Sequence, residues 1–207
     1  MDSKLQTSLL LILGPIVSLV GWMFLYPVGG DAGAFAEQAA DLLANAGIVK
    51  IGMVMGFGGM VAVNIGQFNI ARKMTMGGGP GSSYANIVLT LSLVLVGALL
   101  LGLAFNFAAS QAASVRAAVP LLMINEAGGA GAFPLGIGVT VLLFGVAIAL
   151  EKNFHIVVAG LAIVVGVLFI AAFFGDNGGD NILGFIGWIG WMLTSIVIGV
   201  FRFRASD

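Results

Sequence analysis

The side chains able to do chemistry deep in this chain are few and uncharged. Asn64 and Gln67 lie three apart, which puts them on one face of a helix, and Asn106 is a third amide inside an apolar stretch. Ser18, Asn86, Thr90, Ser92, Thr140, Thr194 and Ser195 add hydroxyls and one more amide. Such groups donate and accept hydrogen bonds but do not shuttle protons. Bonding between helices is their expected role. Lining a polar path or contacting a pigment or quinone is the alternative for Asn64, Gln67 and Asn106. The run Asp176-Asn177-Gly178-Gly179-Asp180-Asn181 is rich in oxygen. Asp176, Asn177 and Asp180 are of the type that ligates calcium, a hard cation. The run does not match the twelve-residue EF-hand loop, and Asn, Asp and Gly are ordinary turn formers, so a solvated turn is expected. Residues 77–83, Gly-Gly-Gly-Pro-Gly-Ser-Ser, lack the Gly-Lys-Ser/Thr ending of a phosphate-binding loop; Arg72 and Lys73 beside them suit anionic headgroups. No nucleophile, base and acid form a set, so no catalysis is expected.

Whole classes of site are excluded by what is missing. There is no cysteine among the 207 residues, which removes disulfides, iron–sulfur clusters and thiolate zinc. The one histidine, His155, cannot make a bis-histidine haem or a multi-histidine metal centre alone, and it reads as an interfacial side chain at a helix start. Charged residues make up 8% of the chain against 60% apolar ones, and the mean hydropathy is +1.13. A soluble domain of this length needs far more charge. The formal net charge of −1 leaves no general basic surface for nucleic acid.

The elements that must position these groups are membrane helices. A span needs about 20 mainly apolar residues. Six stretches qualify: 5–26, 48–70, 84–108, 132–150, 156–174 and 182–201. None shows the strand-like alternation of a barrel. The first resembles a signal peptide in having Lys4 ahead of an apolar run, but the run is too long for one and reads as a retained helix. An all-α bundle of three hairpins follows, with both termini on one side. That side holds Lys4, Arg72, Lys73, Lys152, Arg202 and Arg204, against Lys50 and Arg116 on the other. The basic side is expected to be cytoplasmic. Between the first two spans, residues 35–43 carry apolar side chains at helical spacing and predict a short amphipathic helix. Residues 109–131, with Pro120 and Glu126, read as a loop dipping toward the interface. Residues 77–83 read as a flexible linker.

Glycine spacing adds a second layer. Gly52, Gly59 and Gly66 lie seven apart, as do Gly131, Gly138 and Gly145, so each trio forms a stripe on one helix face. Each stripe ends seven residues later in a lysine, Lys73 and Lys152. A constant offset predicts duplicated hairpins at 1–73 and 84–152, with a diverged third at 155–204. Small residues let helix backbones approach in lipid, where no hydrophobic force drives association. The stripes are therefore expected to hold the bundle together; contact with a partner protein or flat lipophilic ligand is the alternative. Lys50, near the end of its span, is expected to snorkel outward, with an anionic contact near Glu126 or Asp31 as the alternative. Aromatic residues gather where the first helix of each hairpin ends, as an interface belt does: Trp22 and Tyr26, then Phe105 and Phe107, then Phe173 and Phe174. Trp188 and Trp191 share a face of the last span.

Leu13-Gly14-Pro15, followed by Gly21 and Pro27 and then three hairpins, resembles the layout of a bacterial family of six-span membrane proteins catalogued as a domain of unknown function. The resemblance covers most of the chain and implies the topology and an inner-membrane location, with no active site. The function expected from all of this is a non-catalytic accessory or scaffold subunit. Its partners would be the lipid bilayer and other membrane proteins or further copies of itself. The alternatives are a passive channel or transporter for a small neutral or lipophilic solute, and a holder of a lipophilic cofactor. No cofactor is demanded, while lipid, quinone and pigment stay open.

Overall fold

Residues 4–26, 34–128, 133–175 and 182–204 are described by a computed structural model. They form eight helices: α1 (Lys4–Phe24), α2 (Phe35–Ala44), α3 (Ala46–Gly77), α4 (Ser82–Ala109), α5 (Val115–Ala127), α6 (Phe133–Glu151), α7 (Ile156–Phe174) and α8 (Ile182–Arg204). No strand occurs among the described residues. Six of the helices, all but α2 and α5, are long and apolar enough to cross a membrane. Their outward faces carry large apolar side chains such as Leu13, Val54, Leu101, Val164 and Phe185. This is the surface of a protein solvated by lipid.

The spans follow one another around a closed ring. α1 packs on α3, α3 on α4, α4 on α6, α6 on α7 and α7 on α8, and α8 returns to α1. α3 also touches α6 across the middle. Neighbours in the ring run antiparallel, so the residues near Lys4, Lys73, Lys152 and Arg202 gather at one end, the basic end. At the other end α2 and α5 pack on each other beside α3 and α4.

α2 is the amphipathic helix the spacing predicts, with Ala39 and Leu42 fully buried. α5 departs from the loop expected there. Its start is capped by Ser114, whose Oγ accepts from the Ala117 N–H at 3.3 Å, and Ala118 and Leu122 are buried against its neighbours. Pro120 is accommodated inside the helix. α3 runs 32 residues, seven beyond the span expected at its basic end. At 1.5 Å per residue it is about 48 Å long, well over the hydrocarbon thickness.

The expected flexible linker is instead a packed turn. α3 ends at Gly77, Gly78 takes the left-handed conformation with φ of 64°, and α4 starts at Ser82. The Gly81 N–H donates to Glu151 Oε1 at 2.8 Å, tying the turn to the end of α6. A Cβ on Gly81 would lie 2.5 Å from the Ala147 carbonyl oxygen. Glycine there serves close approach rather than mobility.

Candidate functional site

Two backbone seams sit on opposite sides of the ring. In the first, α1 lies in the glycine stripe of α3. A Cβ on Gly52 would meet the Leu25 carbonyl oxygen at 2.5 Å, one on Gly59 would meet the Ser18 nitrogen at 2.5 Å, and one on Gly66 would meet the Leu11 side chain at 2.6 Å. α1 answers with its own glycines: a Cβ on Gly21 would stand 2.5 Å from the Gly56 nitrogen. Ser18 Oγ donates across the seam to the Gly56 carbonyl at 3.0 Å. The second seam joins α6 to α7. A Cβ on Gly138 would lie 2.9 Å from the Gly166 oxygen, one on Gly145 would lie 2.9 Å from the Ala159 oxygen, and one on Gly166 would lie 2.5 Å from the Leu142 nitrogen. Thus the first stripe faces the helix before it, and Gly138 and Gly145 face the helix after. Gly131 lies outside the described residues, as do Asp176, Asn177 and Asp180 of the oxygen-rich run. Among the described residues no group of three or more His, Cys, Asp or Glu could hold a metal ion.

Between the seams the interior is layered. One apolar cluster, nearer α2 and α5, includes Met60 and Val63 of α3, Leu95 of α4 and Trp191 and Met192 of α8. A second, nearer the basic end, includes Ile70 of α3, Val88 of α4 and Ile198 of α8. Six of the buried polar residues occupy the stretch between these clusters on three helices: Asn64, Gln67 and Asn69 on α3, Ser92 on α4, Thr194 and Ser195 on α8. This polar layer draws on two consecutive helices, α3 and α4, and on the distant α8. No Asp, Glu, Lys, Arg or His is among the buried residues described.

The expected bonding between helices holds for Ser18 and Asn106, while most groups of this layer do otherwise. Asn64 Nδ2 donates to the Met60 carbonyl of its own helix at 3.0 Å, and its Oδ1 has no partner. Gln67 Oε1, Ser92 Oγ and Trp191 Nε1 are likewise buried without a partner. Ser195 and Thr140 bond back to carbonyls four residues earlier. Short hydroxyls in a helix reach their own turn before they reach a neighbour. Asn106 does bridge: its Oδ1 accepts from the Tyr26 hydroxyl at 3.0 Å. A further bridge, from Asn69 Nδ2 to Thr7 Oγ1 at 3.2 Å, lies outside that expectation, because Asn69 stands at the edge of the expected span.

Chemically this interior can hydrogen-bond an uncharged guest or water. It holds no acid or base. No protein-family model, curated protein or solved structure matches the chain. The site therefore rests on its own geometry.

Near the α2–α5 end, Tyr26 packs edge-on against Trp22 at 4.9 Å, and Trp22 against Phe57 at 5.1 Å. Burial first, and the charge of Glu126 second, push the Tyr26 hydroxyl up to about 12. Lys50 Nζ lies 5.4 Å from the centre of the Phe107 ring near the end of α4, a cation–π contact. Trp191 is packed edge-on to Phe169, and Trp188 leans on Phe185. On the lipid side a groove of about 560 Å³ runs between α1 and α3, bordered by Leu9, Leu13, Val17, Val54, Gly58 and Ala62.

Proposed function

We propose that this is a non-catalytic integral membrane protein, an accessory or scaffold subunit that packs against other membrane proteins or lipids. One observation carries the reading: the polar layer is shut in by apolar clusters toward both ends of the bundle, whose members are at most 7% exposed. Proton-coupled transport is disfavoured because buried ionisable groups, its usual working parts, do not occur in the described core. Catalysis is disfavoured because no described residue set supplies a nucleophile with a base. The glycine seams serve rigidity, since backbone-to-backbone contact leaves little room for the helices to slide. The basic end faces the cytoplasm in this reading, in keeping with the six-to-two split of cations. The membrane is a bacterial inner membrane.

The experiment is extraction of the native protein in mild detergent, followed by mass measurement of the intact particle and a solute-flux assay after reconstitution. A stoichiometric membrane-protein complex without flux supports the scaffold. A colourless monomer that passes small neutral solutes overturns it.

A second reading, a passive path for a small neutral solute, is favoured by the unpartnered Asn64 Oδ1, Gln67 Oε1 and Ser92 Oγ. Buried polar atoms left unpaired cost about 1–3 kcal/mol each, and a guest or water would relieve that. Flux that falls on replacing Gln67 with Met would favour this reading over the first.

A further inference from the structure

At the basic end, three separate pieces of chain border an open cavity of about 420 Å³. Lys73 comes from the last part of α3, Lys152 and His155 from the α6–α7 turn, and Arg202 and Arg204 from the end of α8. No carboxylate is among the described residues that line it. The nearby Glu151 is engaged with the Gly81 N–H. Four cations bordering one space raise its positive potential and favour an anion there. We infer that this cavity is a binding site for a phosphate group.

Two independent features of the backbone and side chains point the same way. Lys152 has φ of 55°, the only positive value on a non-glycine residue among those described. It follows the last residue of α6, a place where glycine is the usual occupant. This glycine-rich chain keeps a lysine there against its conformational preference, and the result is a cation at the cavity wall. Arg202 Nε is shielded from solvent and has no hydrogen-bond partner. A phosphate oxygen would supply the missing acceptor, and a guanidinium suits phosphate geometry.

The α7 N-terminus adds the positive end of a helix dipole. His155 caps it, accepting from the Val157 N–H through Nδ1 at 3.3 Å. Ile70, Phe154 and Phe201 form the apolar part of the wall, so the cavity is cationic on one side and oily on the other. That combination fits the phosphate of an anionic lipid headgroup with its glycerol and first methylenes, and also a free phosphate ester. The phosphate is what both share. The site stands apart from the scaffold reading and needs no partner protein.

The test uses full-length protein, delipidated in neutral detergent. Binding is read by thermal shift with inorganic phosphate, and by native mass spectrometry after exchange through phosphatidylcholine nanodiscs containing phosphatidylglycerol. Lys152→Gly relaxes the backbone while removing a cation. It is expected to leave unliganded stability equal or higher and to weaken binding by about fivefold. Arg202→Gln is expected to weaken it by a similar factor. Arg116→Gln, on α5 at the opposite end, is expected to change nothing. Retention of phosphatidylglycerol without response to inorganic phosphate assigns the site to lipid, and response to both assigns it to the phosphate group from either source. Equal binding by wild type and the K152G/R202Q double variant overturns the inference, as does no binding of either probe.

Discussion

A Cβ placed on Gly14 would stand 2.9 Å from the carbonyl oxygen of Gly59, so α1 and α3 meet there with no side chain between them. The obstacle is backbone, which cannot rotate aside as a side chain does. Gly59→Ala is therefore expected to destabilise the protein by about 1–3 kcal/mol. The adjacent Gly58 has open space where its Cβ would go. Gly58→Ala should be neutral or stabilising by up to about 1 kcal/mol through helix propensity. Unfolding in detergent of the two variants side by side checks this. Equal losses at both positions would contradict the seam.

Glu151, at the end of the neighbouring α6, holds the turn between α3 and α4 through the Gly81 N–H. Glu151→Ala leaves that donor unpaired and is expected to cost about 1–3 kcal/mol, whereas Glu151→Gln retains an oxygen acceptor and should lose less. Amide exchange at Gly81 is the direct reading: it should accelerate in the alanine variant and stay near wild type in the glutamine one.

Tyr26, just past the end of α1, keeps its proton to about pH 12, above the ordinary phenol value of 10.0. A raised phenol value means that the unfolded chain ionises first. The associated stability is fully present below pH 10.0 and is lost as the pH climbs toward 12. Tyr84→Phe leaves Tyr26 as the sole tyrosine, and its phenolate absorbance should rise with a midpoint near 12. Tyr26→Phe should remove this contribution to alkaline destabilisation. A midpoint at the ordinary value would show that the hydroxyl is open to water.

Two polar substitutions on α3 should differ in sign. Gln67 Oε1 is buried without a partner, so Gln67→Met is expected to leave stability unchanged or raise it by about 1 kcal/mol. Asn69→Leu breaks the bridge to Thr7 and leaves that hydroxyl unpaired, so a loss of about 1–2 kcal/mol is expected. Equilibrium unfolding of the pair decides it.

The six spans and α2 were legible because hydrophobic length and helical spacing are local properties, carried by each stretch of chain alone. α5 was not, since Pro120 reads locally as an interruption while the Ser114 cap and the burial of Ala118 and Leu122 decide otherwise. The glycine stripes were legible as faces, but not their neighbours: only the closed ring turns Gly59 toward α1 and Gly138 toward α7. The packed turn at Gly81 depends on Glu151, seventy residues away. Lys73, Lys152, Arg202 and Arg204 were legible as charges that set orientation, and Lys73 with Arg72 as suited to anionic headgroups. Their convergence on one cavity needs α3, α6 and α8 to end at the same level, and no single segment carries that information.

The two seams make rigid pairs of α1 with α3 and of α6 with α7. α8 meets its neighbours mainly through side chains, with Gly190 against Val165, Gly187 against the Phe169 ring and Gly199 against Ile12 and Leu11. α4 touches the seams in a similar way, Gly102 resting on the Phe57 ring. The molecule is thus built as two stiff plates buttoned together by two compliant staves. When the bilayer stretches or thins, strain should concentrate in those staves, and the plates should tilt as intact units.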